Sequence, residues 1–222
     1  MENTRKKPKL FDIKKLPMDV ARLVCSPLIL WCRMKRLTPT GEPYKNLVKG
    51  GAVLAANHTS FFDPFLLGVA VWYRRMYILA AEVVMKTKLR SWLLTGAGAI
   101  RIDRNGTDIE AIRKSVKVLK EGRLLAIFPQ GGIREDGEVQ ALKSGAILIA
   151  LQAGVPIIPM HICPAKHWYS RRVVVMGEPF DPKAYIQKKF PSAADMDRAA
   201  QQLTEEMNQL SLIGKEQTVC KP

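Results

Sequence analysis

The stretch Asn57-His58-Thr59-Ser60-Phe61-Phe62-Asp63-Pro64 holds an imidazole and a carboxylate five positions apart. Within one continuous helix, residues at that spacing point about 140° away from each other and cannot cooperate. A turn brings them together. Pro64 suits a first helical position and Asp63 the N-cap, which aims the carboxylate back across the turn toward the imidazole. A carboxylate so placed fixes the histidine tautomer and stabilises the imidazolium, making His58 a general base for a hydroxyl. The plainer alternative is that Asp63 only caps a helix and His58 is a solvated loop residue.

Such a pair needs elements to hold it. GAVLAAN (51–57), MYILAA (76–81), GAIRI (98–102), RLLAIFP (123–129), VPIIPMHI (155–162) and RVVVMG (172–177) are short apolar runs bounded by Gly, Pro or polar residues, and read as strands. Between them lie PFLLGVAVWYRR, MKTKLRSWLLTG, DIEAIRKSVKVLKEG and SGAILIALQAG, which read as helices, three of them stopped by a glycine in the C′ position. Ser192 and Asp195 have the spacing of a capping box that opens a last helix to about residue 210. The expected fold is α/β, a single mixed, largely parallel sheet flanked by helices. The His58 turn then falls at a strand's carboxyl end, where ligands bind such sheets. No internal repeat or low-complexity linker marks a further domain.

The 222 residues suit one globular domain, but 35 Lys and Arg against 20 Asp and Glu give a net charge of +15. That excess points to a polyanion or an anionic surface. Residues 1–36 carry ten basic and three acidic groups, a net +7, beside the ten-residue apolar run LVCSPLILWC at 23–32. The run is far short of the roughly 20 apolar residues needed to cross a bilayer. It also lacks the small-residue cleavage site of a secretory signal. Residues 1–40 are expected to form a basic amphipathic helical membrane-docking segment, with Leu, Ile and Trp31 entering the headgroup boundary, ahead of an α/β domain over 41–212 and a polar tail over 213–222. A core-packing helix with a solvated basic tail is the alternative for the first segment. The cysteines at 25, 32, 163 and 220 have no paired spacing, so neither a disulfide framework nor a zinc ribbon is expected.

At this point the chain resembles the glycerolipid acyltransferases, and among them the 1-acylglycerol-3-phosphate (lysophosphatidic acid) acyltransferases. Their motif NHxSxxD is matched by Asn57, His58, Ser60 and Asp63. A second stretch runs from Lys86 to Gly98-Ala99-Ile100-Arg101-Ile102-Asp103-Arg104, with Arg104 as the matching arginine. The third, usually FPEGTRS, is Phe128-Pro129-Gln130-Gly131-Gly132-Ile133-Arg134, followed by Lys143-Ser144-Gly145 in the place of a K-x-G. The fourth, V-P-I-x-P, is Val155, Pro156, Ile157 and Pro159. Four motifs in order over residues 57–159 are far more specific than any one of them.

The resemblance implies that His58 deprotonates a glycerol hydroxyl, which attacks the thioester carbonyl of an acyl-CoA or acyl-carrier-protein. It implies no metal, no cofactor beyond that co-substrate and no covalent acyl-enzyme, with a lysophospholipid acceptor and a site on the cytoplasmic face of the cell membrane. The product would be phosphatidic acid. Two anionic substrates call for cations in loops beside the base, and Arg104, Arg134 and Lys143 are the candidates for the acceptor phosphate. Gly131 and Gly132 would offer backbone N–H groups to the same phosphate. Asn57, Ser60, Pro129, Gln130 and Pro156 support the motifs, while Trp92 and Leu93 would line an acyl channel or belong to the core.

The third motif departs from its pattern. Gln130 replaces the Glu, Gly132 the Thr, and Ile133 stands where the arginine is expected, with Arg134 one position later. Gln keeps hydrogen-bonding capacity without the charge, so a structural contact can survive while acceptor recognition changes. That departure supports as alternatives a different lysolipid or hydroxyl-bearing acceptor, or a non-catalytic lipid-binding relative, against which the intact His58 and Asp63 argue. Gly96-Ala97-Gly98 is not a dinucleotide fingerprint, because Arg101 occupies the third glycine's place and the segment enters a strand. His161, Cys163 and His167 make a poor zinc set, and no nucleic-acid module accompanies the charge.

Overall fold

The computed structural model describes residues 20, 34–44, 48–103, 108–131, 142–164, 172–186 and 191–219, with side chains to residue 216. Seven strands, β1 (Lys35–Leu37), β2 (Ala52–Ala56), β3 (Met76–Ala81), β4 (Ala99–Ile102), β5 (Leu124–Ile127), β6 (Ile157–Ile162) and β7 (Val173–Met176), form one sheet in the order β1-β7-β6-β2-β5-β3-β4. Only the β6–β7 pairing is antiparallel. The helices are α1 (Asp63–Ala70), α2 (Lys88–Gly96), α3 (Ile109–Lys120), α4 (Gly145–Ala153) and α5 (Ala193–Val219), with 3-10 turns at Glu82–Met85 and Pro182–Tyr185. The mixed, largely parallel sheet flanked by helices is thus as the apolar runs indicate.

Alternation along β2 builds two cores. Ala52, Leu54 and Ala56 face one side, where they pack with Leu66, Leu67 and Ala70 of α1. Val53 and Ala55 face the other, with Leu119 of α3, Ile147 and Ala150 of α4 and Leu203 and Met207 of α5. The crossover from β2 through α1 leads to β3 on one side of β2, and that from β5 through α4 leads to β6 on the other. The neighbouring strands β2 and β5 therefore send their connections in opposite directions and over opposite faces. This is the topological switch point at which open α/β sheets leave a crevice beyond their carboxyl ends.

Several sequence expectations are corrected. Lys35–Leu37, placed in the docking segment, are a sheet strand in register with Val173–Val175. Of the rest of that segment, residue 20, Met34 and residues 38–40 are described and the others lie outside the described residues; no helix among the described residues is long and apolar enough to cross a membrane. The capping box forms, with Ser192 N donating to Asp195 Oδ2 at 3.0 Å and Asp195 N to Ser192 Oγ at 3.3 Å. The helix it opens does not stop near 210 but runs to Val219. Gly214, expected in a polar tail, is buried instead, and an added Cβ there would stand 2.7 Å from Cys163 Sγ. Of the three stopping glycines, Gly154 is a left-handed C-cap with φ 68° and Gly122 follows the cap with φ 76°. Gly96 instead ends α2 within the helix.

Candidate active site

Strand β2 ends at Ala56, and its next residue is locked. Asn57 is fully buried, its Nδ2 donating to Ile162 O at 3.0 Å and its Oδ1 accepting from Ile162 N at 2.7 Å. The amide thus prolongs the β2–β6 ladder by one rung and fixes the point at which the chain leaves the sheet. Two aligned bonds to buried backbone groups contribute about 1–3 kcal/mol together.

The following turn is organised around Asp63. Its Oδ2 accepts from Thr59 N at 2.5 Å, Ser60 N at 2.7 Å and His58 Nδ1 at 3.0 Å. Ser60 tightens the same turn, its Oγ accepting from Phe62 N at 3.2 Å and its carbonyl from Asp63 N at 3.0 Å. Asp63 is not the N-cap expected. Phe62 is the cap and Asp63 the first helical residue, with Pro64 second. The carboxylate therefore folds back onto amides that precede the helix instead of capping those within it. A carboxylate only accepts, so Nδ1 carries the proton and the neutral ring keeps its lone pair on Nε2. The side chain of Asp63 is 1% exposed and that of His58 13%, so the carboxylate is sealed while the imidazole keeps some exposure.

The loop after β5 completes the site. Phe128 stacks on the His58 ring, centroids 4.2 Å apart and planes 18° from parallel. Gln130 Oε1 accepts from His58 N at 3.2 Å. Gln130, in the place of the motif's Glu, thus contacts the His58 turn through a neutral acceptor. Gly131 has φ 78°, a left-handed conformation that favours glycine. A Cβ there would stand 3.4 Å from Lys143 Cε and 3.6 Å from Nζ. Lys143 N also donates to Pro129 O at 3.2 Å. The structure therefore links His58, Asp63, Gln130, Gly131 and Lys143 by successive contacts at the carboxyl ends of β2 and β5.

Not every expected residue joins them. Pro156 precedes β6 at the sheet's opposite end, its carbonyl accepting from Val53 N at 3.0 Å, so its part is to position strands. Pro159 lies inside β6 against Gly177, where a Cβ would come 2.8 Å from its Cγ. Arg104, Gly132 and Arg134 lie outside the described residues, although β4 does deliver its carboxyl end to the same edge of the sheet as β2. Trp92 and Leu93 are not core, being 71% and 53% exposed. Leu93 lines an apolar groove of about 540 Å³ together with Phe61, Val83, Val84, Arg90 and Leu94. Among the described residues, no group of three or more His, Cys, Asp or Glu side chains is placed to hold a metal ion. His161 is buried and its basicity drops to about 4, chiefly from desolvation and secondarily from Lys215. Burial pushes the neighbouring Cys163 thiol up to about 12. Sequence reasoning overlooked the partner of Asn57 and the ring stacking on His58. The first gives no local signal, since Ile162 lies far along the chain, whereas Phe128 stood within the quoted motif.

The family model described as Acyltransferase matches residues 36–163. A 1-acyl-sn-glycerol-3-phosphate acyltransferase of Bacillus subtilis is 27% identical over 170 residues, covering 73% of this chain and 84% of that protein. One of Borreliella burgdorferi is 26% identical over 153 residues, covering 68% of this chain but only 60% of that protein. The crystal structure of the 1-acyl-sn-glycerophosphate acyltransferase PlsC of Thermotoga maritima shares the fold, with a TM-score of 0.62 at 20% identity over 94% of this chain and 82% of that one. With the family match spanning β1 through β6 and enclosing the His58–Asp63 turn, the Gln130 loop and Lys143, the chain belongs to the acyltransferase family.

Proposed function

We propose that the chain transfers a fatty acyl group from an acyl-CoA or acyl-carrier-protein thioester to the free sn-2 hydroxyl of 1-acylglycerol-3-phosphate, forming phosphatidic acid. The observation that carries this is the His58 Nδ1 to Asp63 bond of 3.0 Å, which leaves Nε2 as the ring nitrogen with a free lone pair on a side chain that is 13% exposed. Nε2 takes the hydroxyl proton as the oxygen attacks the thioester carbonyl. The tetrahedral intermediate collapses by breaking the C–S bond, and the imidazolium returns the proton to the departing thiolate. Asp63 stabilises the imidazolium between these steps. The acyl group passes directly between substrates, so no side chain is acylated.

Lys143 beside the left-handed Gly131 supports a phosphate subsite on the third-motif loop. Arg104 and Arg134 follow in this reading from the motif resemblance. The groove lined by Phe61, Val83 and Leu93 supports an acyl-binding role, since its lining is almost wholly apolar. The basic apolar segment within residues 1–36 is read as an address for the cytoplasmic face of the membrane, where lysolipid resides. The names of the Bacillus and Borreliella relatives support the acceptor.

The test is purified protein with a long-chain acyl thioester and a panel of lysolipids, following phosphatidic acid and free thiol together. Thiol release that depends on 1-acylglycerol-3-phosphate is expected. Release with another lysolipid and none with this one would reassign the acceptor; release with no acceptor at all would overturn the transfer reaction.

A further inference from the structure

Helix α2 buries none of its residues. Leu89, Trp92 and Leu93 are 67%, 71% and 53% exposed. At about 100° per residue they span an arc of about 100°, with Lys88 about 40° beyond one border and Arg90 about 60° beyond the other. An ordinary surface helix turns its apolar stripe toward the core; α2 turns its stripe toward solvent between two cations. The apolar surface continues past the helix. Phe61 and Val83 line the same groove as Leu93, and the ring of Phe62 meets that of Phe61 edge-on at 6.4 Å. Phe61 and Phe62 are each 68% exposed and sit inside the catalytic turn, between His58 and Asp63. Single exposed apolar residues need no explanation, but a contiguous patch marks a binding face.

We propose that this face, made by α2, the Glu82–Met85 turn and the Phe61–Phe62 corner, lies on an anionic lipid surface and makes a membrane contact of its own, separate from residues 1–36. The charge pattern selects the occupant. Lys86, Lys88 and Arg90 are exposed around the stripe, α2 has no acidic residue, and the nearby Glu82 is engaged by Arg101 at 3.2 Å. Cations bordering exposed Leu and Trp match a headgroup layer over acyl chains. A second copy of the chain packed face to face about a two-fold axis would set Lys88 and Arg90 against their own counterparts. On the membrane, the groove would face lipid, and Phe61 in its lining belongs to the same turn as His58.

The proposal deepens the acyltransferase reading, which supplies the lipid substrates, but binding is measured without substrate, so either can fail alone. The full chain and its L89S/W92S variant are sedimented with vesicles of equal phosphatidylcholine and phosphatidylglycerol. Neither residue lines the groove. The variant is expected to bind about thirtyfold more weakly, from two large apolar side chains that no longer insert. Its turnover of short-chain substrates dissolved as monomers should equal that of the parent, which also shows that it folds. Unchanged vesicle affinity in the folded variant would overturn the proposal. So would a parent dimer in sedimentation equilibrium that the variant loses while vesicle binding persists, since the patch would then cover a second copy.

Discussion

Asp63→Asn probes the catalytic turn at its centre. The Thr59 amide, the Ser60 amide and His58 Nδ1 converge on one atom, Oδ2, at 2.5, 2.7 and 3.0 Å. An asparagine oxygen can take that place and accept all three bonds, so the turn survives while its charge is removed. Bonds to an ionised acceptor are about twice as strong as neutral ones, so each loses about 1 kcal/mol and the fold about 2–3 kcal/mol. For a chain of this size that lowers Tm by about 4–12 °C. The kinetic loss is larger, because the neutral amide no longer stabilises imidazolium. A fall in kcat of about 10³–10⁴, or roughly 4–5.5 kcal/mol of barrier, is expected by analogy with orienting aspartates in triads. Phosphatidic acid formation with saturating substrates reads kcat, and a thermal melt at the same pH reads the fold. A variant that melts near the parent and keeps kcat within about tenfold would refute the orienting role of Asp63.

Other perturbations test separate parts of the framework. Asn57→Ala leaves both backbone groups of Ile162 without their present side-chain partners in a buried site, and should cost about 2–4 kcal/mol in denaturant unfolding. A loss below about 0.5 kcal/mol would show that the β2–β6 rung is dispensable. Gln130→Leu removes the acceptor for His58 N and should lower kcat about fivefold to tenfold with little change in KM, whereas Gln130→Glu, which restores an acceptor, should stay near the parent in kcat. Equal kcat in the leucine variant would remove the pinning role. The buried His161 binds a proton near pH 4 when folded but near 6.5 when unfolded, so the unfolded chain holds more protons between those values. Its contribution is complete above about pH 6.5 and declines by up to about 3 kcal/mol as pH falls toward 4. His161→Leu should flatten that part of the stability profile, and an unchanged slope would contradict the burial argument.

What the sequence made legible was local. His58 and Asp63 are five residues apart, so the turn that joins them could be reasoned from helix geometry and a proline, with an error of one position in the cap. The six apolar strands were legible because both faces of the sheet are covered and each strand is a short apolar run. Strand β1 was not, because Lys-Arg-Leu has no apolar alternation and forms only by pairing with Val173–Val175 far along the chain. The same distance hid the Asn57–Ile162 rung. The extension of α5 depends on packing of Leu210 and Gly214 near Cys163, which a polar sequence does not announce. The apolar character of Trp92 and Leu93 suits a core as well as a channel, because apolar residues usually point inward; on α2 both are exposed, which removes the core alternative, and Leu93 lines the apolar groove. Gln130 shows the reverse case, in which a changed motif residue keeps the hydrogen bond that chemistry allowed it.

The central claim, that His58 removes the proton from the acceptor hydroxyl, is tested most directly by thiol release from an acyl thioester in the presence of 1-acylglycerol-3-phosphate, compared between the parent chain and a folded His58→Ala variant. A fall of at least about 10³-fold in acceptor-dependent release is predicted, since both the base and the proton donor to the leaving thiolate are removed. Acceptor-dependent release within about tenfold of the parent would contradict the account.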